Sequence, residues 1–121
     1  MTAIGRLKTR KEFLFVRDGA RFVTPSLVLQ ARVRPEPETF APTSRFGFTA
    51  SRAIGGAVQR NRARRRLKEA VRLAGSNRAV EGYDYVLIAR EGTLQRRFTE
   101  LVRDLERALI KVHEPKRPRP S

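Results

Sequence analysis

The residues of this sequence best suited to chemistry are cations set at helical spacing. From Gly55 to Ala74 the chain reads GGAVQRNRARRRLKEAVRLA, with Arg60, Arg62, Arg64, Arg65, Arg66, Lys68 and Arg72 against a single acid, Glu69. Projected at about 100° per residue, Ala63, Leu67, Ala70, Val71 and Ala74 fall on one stripe, the face a helix needs to dock on a core. The cations take the rest of the circumference. Like charges this dense repel one another, so local stability does not explain them. Their field suits a polyanion, because neutralising phosphates releases condensed counterions. A basic run is in most proteins only a solvated face, yet lysine would serve solubility as well, and here the cations are mostly arginine. The arginine fork pairs bidentately with phosphate and stacks on bases, which lysine does not. Asn61, between two arginines, has an amide that can donate and accept at once, as a base edge or a 2′-hydroxyl requires. The expected role is contact with nucleic acid.

The other candidates for chemistry are weak. A self-contained hydrolase needs a nucleophile with its base, or carboxylates converging on a metal. His113 is the only histidine and precedes a Pro-rich basic tail, so an exposed surface residue is expected. Asp84 sits in an otherwise apolar run and reads either as a buried acid or, the commoner case, as a residue facing solvent where a strand begins. Glu100, Asp104 and Glu106 interleave with Arg96, Arg97, Arg103 and Arg107, and such surface pairs are worth only about 0.2–0.5 kcal/mol each. Gly55-Gly56 precedes a helix, but no Gly-Lys-Ser/Thr follows to make a phosphate loop. Phe13 and Phe15 are core residues by default; the alternative is that one stays exposed as a stacking surface for single-stranded bases. Phe46 and Phe48 pose the same choice. No catalytic apparatus is expected in the chain itself.

These residues must be carried by a small scaffold. At 121 residues the chain has room for one core, and its net charge of +15 with a pI near 11.7 points to nucleic acid more than to an anionic membrane. No apolar run approaches the roughly 20 residues that span a bilayer, and the basic N-terminus lacks the apolar core of a signal peptide. With no cysteine, the composition suits a reducing compartment, and a cytoplasmic location is expected. Thr9 and Glu12 have the spacing of a capping box, which predicts a first helix ended by Gly19. Residues 26–34 and 45–51 alternate as half-buried strands, with a short strand possible at 21–23; Pro35–Ser44 reads as a loop. Gly75-Ser76-Asn77 is expected to break the basic helix, residues 83–89 (YDYVLIA) to form a strand, and Thr93 to start a last helix. That helix carries Leu94, Phe98, Leu101, Val102, Leu105, Leu109 and Val112 as its apolar stripe. The predicted fold is α+β, a two-layer α/β sandwich in the order α-β-(β)-β-α-β-α over residues 1–113, with a disordered tail at 114–121.

The run FGFTASRAIGGAVQRNRARRRLKEAVR, Phe46 to Arg72, resembles the signature of the bacterial ribonuclease P protein subunit. Arg6-Leu7-Lys8 through Phe13 and Gly19 resembles that family's N-terminal helix, and Tyr83 to Arg90 its late strand, so the likeness covers roughly residues 6–112. It implies an unusual left-handed βαβ crossover around helix 57–74. It implies a protein that assists a catalytic RNA in cleaving the 5′ leader from precursor tRNA, with Mg²⁺ held mainly by the RNA. By position, Arg52, Arg60, Asn61, Arg62, Arg64, Arg65 and Lys68 match the family's RNA-facing residues, and Phe13, Val16 and Arg17 its leader-binding cleft. The implied partners are the ribonuclease P RNA and precursor tRNA, with no obligate protein partner. Ala53 departs from the pattern, standing where a second basic residue often follows Arg52. Against this stand a structural RNA-binding protein such as a ribosomal one, a DNA binder, which lacks helix-turn-helix spacing, and an autonomous nuclease, which lacks a base and metal ligands.

Overall fold

The capping box at Thr9 starts the first helix as its spacing demands. The Thr9 hydroxyl accepts the Glu12 N–H at 3.3 Å, and the Glu12 carboxylate accepts the Thr9 N–H at 2.8 Å, which satisfies two donors that a helix start leaves open. In the computed structural model, which describes residues 4–35 and 44–115, the elements are β1 (Ile4–Arg6), α1 (Arg10–Arg17), β2 (Ala20–Val23), β3 (Leu27–Val33), β4 (Ser44–Thr49), α2 (Ala57–Ala70), α3 (Ser76–Arg78), β5 (Tyr83–Ala89), α4 (Glu91–Gln95) and α5 (Phe98–Lys111). Most of the expected Pro-rich loop (residues 36–43) and of the basic tail (116–121) lies outside the described residues.

The strands form one sheet in the order β1-β4-β5-β3-β2. β4 runs parallel to both β1 and β5, while β3 is antiparallel to β5 and to β2. Because β4 and β5 are adjacent and parallel, the segment joining them must cross a sheet face, and α2 is that crossover. The main core lies there: Leu27, Leu29, Phe46, Tyr85 and Leu87 of the sheet meet Ala63, Leu67 and Ala70 of α2 and Leu101, Leu105 and Leu109 of α5. α2 has no side-chain N-cap and no acid in its first turn, so its own sequence does little to hold it. Each buried leucine contributes about 1.5–3 kcal/mol, enough to outweigh repulsion along the helix.

Four expectations need correction. β3 is not half-buried: Leu27 to Ala31 are buried on both faces, because α1 lies on the side opposite α2 and α5 with Leu7, Val16 and Val86 enclosed beneath it. β1 was not expected, since three residues are too few for alternation; its pairing partner, Ser44 to Phe46, is remote in the chain. Gly75 does not break the basic helix. A π-helical turn at Val71–Gly75 leads into α3, with Gly75 itself helical (φ −64, ψ −44). A Cβ there would lie 2.8 Å from Val71 Cγ1 and 3.6 Å from Ile4 Cδ1, so the glycine serves close packing. Lastly, Thr93 does not start the last helix. It is buried within α4, accepting the Arg90 N–H at 2.9 Å and donating to the Ser26 carbonyl. Gly92 is pressed against the Pro25 carbonyl, where a Cβ would come within 2.1 Å. That anchor fixes α4, and the chain turns at Arg96 and Arg97 before α5 lies along the sheet.

His113 also departs from expectation. It is half-buried, with Nε2 2.6 Å from the Tyr85 hydroxyl and its ring edge-on to Tyr83 at 4.5 Å. The same hydroxyl accepts the Val80 N–H at 2.8 Å, and burial pushes its pKa up to about 12. The hydroxyl therefore stays protonated and shares a hydrogen bond with the imidazole. Burial holds the His113 pKa below its ordinary 6.5, so its stabilising contribution is fully present above that value and is lost as pH falls through the lowered one. The urea midpoint is expected to fall between pH 7.5 and pH 5, and to fall less in His113→Gln, measured at constant ionic strength.

Candidate nucleic-acid interface

α2 turns its charge outward. With Ala63, Leu67 and Ala70 buried, Asn61, Arg62, Arg65 and Lys68 are exposed and Arg60 and Arg64 half-exposed. Arg52 is exposed on the 3-10 turn (Arg52–Ile54) between β4 and α2. The expected residues thus share one outward surface at 100° steps, except Arg52, which precedes the helix. The Asn61 carbonyl oxygen accepts from Arg64 Nη1 at 2.9 Å, so that amide keeps its NH₂ for a ligand while its acceptor is already engaged.

Two of the helix's arginines have other tasks. Arg72 pairs with Glu69 one turn back. Arg66 reaches across to α4, donating to the carbonyls of Thr93 at 2.8 Å, Leu94 at 3.0 Å and Arg96 at 2.7 Å. A planar fork suits three carbonyls that a helix end leaves open. Burial, then the neighbouring charge of Arg62, draws the Arg66 pKa below its ordinary value. Arg66 is a brace and not part of the free cationic surface.

On the opposite face of the sheet, α1 crosses the strands and leaves a shallow trough. Its floor is the row Thr49, Ile88, Val28 and Val23, which the register aligns across four strands. Thr49 and Ile88 are half-buried and Val23 is 49% exposed, while Val28 is closed. At 100° steps Phe13 and Arg17 share the flank of α1 away from Phe15. Phe13 is seated on Gly47, where a Cβ would meet its ring at 2.5 Å; only a glycine lets the ring lie this close to the sheet. Arg17 is exposed. Val16 is fully buried between helix and sheet, so it supports the trough from beneath and presents no surface to a ligand, which corrects its expected place in the cleft. Phe15 lies on the other flank under Arg32, whose guanidinium sits 4.2 Å from the ring centre. Phe46 is core, stacked on Tyr85 at 4.8 Å, and Phe48 is half-buried on the α2 side.

Asp84 is the residue sequence reasoning read least well. It is 1% exposed and takes Arg45 bidentately, Nε to Oδ1 at 2.8 Å and Nη2 to Oδ2 at 2.6 Å, with Arg34 Nη1 at 2.7 Å. Arg45 also binds Glu12 at 2.9 Å. The Glu12 carboxyl is held below its usual range first by the Lys8 amide, against desolvation, with Thr9 and Arg45 adding to it. An acid inside an apolar strand requires a cation opposite, which was the available signal; that Arg45 supplies it depends on register. Among the described residues no three of His, Asp or Glu come together as metal ligands, and Glu12 and Asp84 are held by arginines. No helix is long and apolar enough to cross a membrane.

A strongly basic α+β sandwich with an outward arginine helix has the charge distribution of a nucleic-acid-binding protein. The chain belongs to the ribonuclease P protein family: that family's sequence profile, described as Ribonuclease P, matches residues 1–113. It is 49% identical over 108 residues to the ribonuclease P protein component of Gluconacetobacter diazotrophicus, covering 88% of this chain and 90% of that one. To the corresponding component of Ruegeria pomeroyi it is 45% identical over 116 residues, covering 95% and 91%. Its fold matches that of the RNase P protein from Thermotoga maritima with a TM-score of 0.73 at 24% identity, over 90% of this chain and 98% of that one.

The brace and the free cations are separable by mutation. Arg66→Ala is expected to cost about 1–3 kcal/mol, the penalty for leaving buried carbonyls unpaired, and Arg66→Lys to recover little of it. Arg62→Ala should be nearly neutral in the same urea titration.

Proposed function

We propose that this chain is the protein subunit of a ribonuclease P, seating the outward face of α2 on the catalytic RNA and the 5′ leader of precursor tRNA in the trough beside α1. The observation that carries the reading is the cationic face of α2: Arg60, Arg62, Arg65 and Lys68 stand outward with no acid partner among the described residues, in a chain of this family. Each phosphate they neutralise releases counterions, so assembly is strong at low salt and falls steeply as salt rises. Phe13, part-exposed on Gly47, offers a ring for a leader base, and Arg17 offers charge for its backbone. In this reading the chain contributes binding and orientation. Hydrolysis, and the Mg²⁺ that supports it, belong to the RNA. The protein raises the local concentration of substrate and screens RNA–RNA repulsion, which divalent ions must otherwise do.

The test is precursor-tRNA cleavage by a bacterial ribonuclease P RNA at low Mg²⁺, with and without the chain. Stimulated cleavage at the mature 5′ end is expected, and Arg60→Ala with Arg62→Ala should weaken RNA-subunit binding at least about tenfold and flatten its log–log salt dependence by between one and two units. Tight binding without stimulation would leave a structural RNA-binding protein instead. A second measurement isolates the trough: Phe13→Ala should weaken the complex for precursor tRNA with a leader and leave mature tRNA unaffected. Equal losses for both would make Phe13 a core residue only.

A further inference from the structure

The pairing of β1 with β4 builds a second concave site at the β1 edge of the sheet, reaching from α2 and its π turn to Glu12 of α1. It has a volume of about 830 Å³, within the range of small-molecule sites, and its walls include Arg6 and Lys8 from the β1 segment, Lys68, Val71 and Arg72 from the basic helix and its π turn, and Phe48 from β4. Arg6, Lys8 and Lys68 have no carboxylate partner among the described residues. The only acid on the wall, Glu12, is engaged by Arg45, and Arg72 by Glu69. The Lys68 ammonium is held below its ordinary value first by desolvation and then by the charges of Arg6 and Arg64, so Arg6 is close enough to repel it. Cations crowded in this way around an aromatic and aliphatic floor lack their counter-ion.

The strand edge adds a polar pattern. Leu7 donates its N–H to the Phe46 carbonyl at 3.0 Å; by alternation along β1 the Arg6 N–H and the Ile4 carbonyl then point off the sheet, on the side where no described strand follows. A donor beside an acceptor matches the Watson–Crick edge of a base, a ring nitrogen accepting beside a donating amino group in adenine and cytosine and a ring N–H donating beside a carbonyl in guanine and uracil. A flat run of phosphates would need neither the edge nor the apolar floor.

We propose that this pocket receives one unpaired base of the ribonuclease P RNA, the base against Phe48 and the strand edge and its phosphate on Arg6 and Lys68. The inference rests on α2 docking against that RNA, and it extends the docking surface to β1 and to the edge of a base. Dimethyl sulfate and a soluble carbodiimide test it together, because the first modifies adenine N1 and cytosine N3 and the second guanine N1 and uracil N3, atoms on the edge that would face the strand. In the reconstituted holoenzyme, at protein concentrations that saturate the RNA, one unpaired base is expected to be protected by the chain. Reactivity should return in Phe48→Leu, which keeps an apolar side chain, and in the exposed pair Arg6→Ala with Lys68→Ala. Phe48→Leu should also weaken RNA binding about tenfold. Protection of no unpaired base, or protection unchanged in both variants, overturns the pocket. If Arg60→Ala with Arg62→Ala also leaves affinity unchanged, the docking of α2 itself has failed, and the two failures are thereby told apart.

Discussion

The guanidinium of Arg45 is the fixed point around which both faces of this sheet are arranged. It grips Asp84 on β5 with two nitrogens and Glu12 on α1 with the third. One side chain thereby ties strand to strand and the first helix to both. Taking such charges out of water costs several kcal/mol each, and attraction offsets this only where geometry is close to ideal and further hydrogen bonds complete each group. Here they do: Arg34 reaches the same carboxylate, and the Lys8 and Thr9 amides complete Glu12. Asp84 is the buried member, and losing Arg45 would cost it two of its three guanidinium contacts while untying α1 from β5. Beside α1 the sheet residues Thr49, Ile88 and Val23 stay incompletely covered.

The basic helix is governed by a different constraint. A helix with this much like charge has no reason to form alone, and its uncapped start gives it no local help. It forms because Leu67 and two alanines, Ala63 and Ala70, fit the sheet, and because single cations are diverted from the crowd. Arg66 closes the end of α4, Glu69 takes Arg72, and Asn61 takes Arg64. The remaining charge is left uncompensated, which is a store of unfavourable energy that a bound polyanion relieves. Stability and binding are thus coupled through the same side chains.

β1 shows how little chain is needed to change a surface. Three residues pair with β4 and carry Arg6 to within electrostatic reach of Lys68, turning a cationic helix face into a walled site. The packing is equally local: at Gly75 the π turn closes on Val71, where a Cβ would come within 2.8 Å of Val71 Cγ1. No single stretch of sequence contains that site, since its walls come from three places in the chain.

What the sequence determined by itself was everything that depends on spacing within one element. The capping box at Thr9, the alternation of β4, the apolar stripes of α2 and α5 and the outward cations between Arg60 and Lys68 are all local properties, because backbone geometry fixes which residues share a face. Their resemblance to one family's signature was legible for the same reason. Tertiary structure decided what depends on register and on contact between remote segments. It assigned Asp84 to Arg45 instead of to water, buried Val16 beneath α1, gave His113 a tyrosine partner, anchored α4 where Gly92 meets Pro25 and split it from α5 at Arg96 and Arg97. It also separated Arg66 from its neighbours, although all are arginines on one helix. The physical reason is that a charge or a ring carries no record of its partner; the partner is chosen only when the strands have found their order.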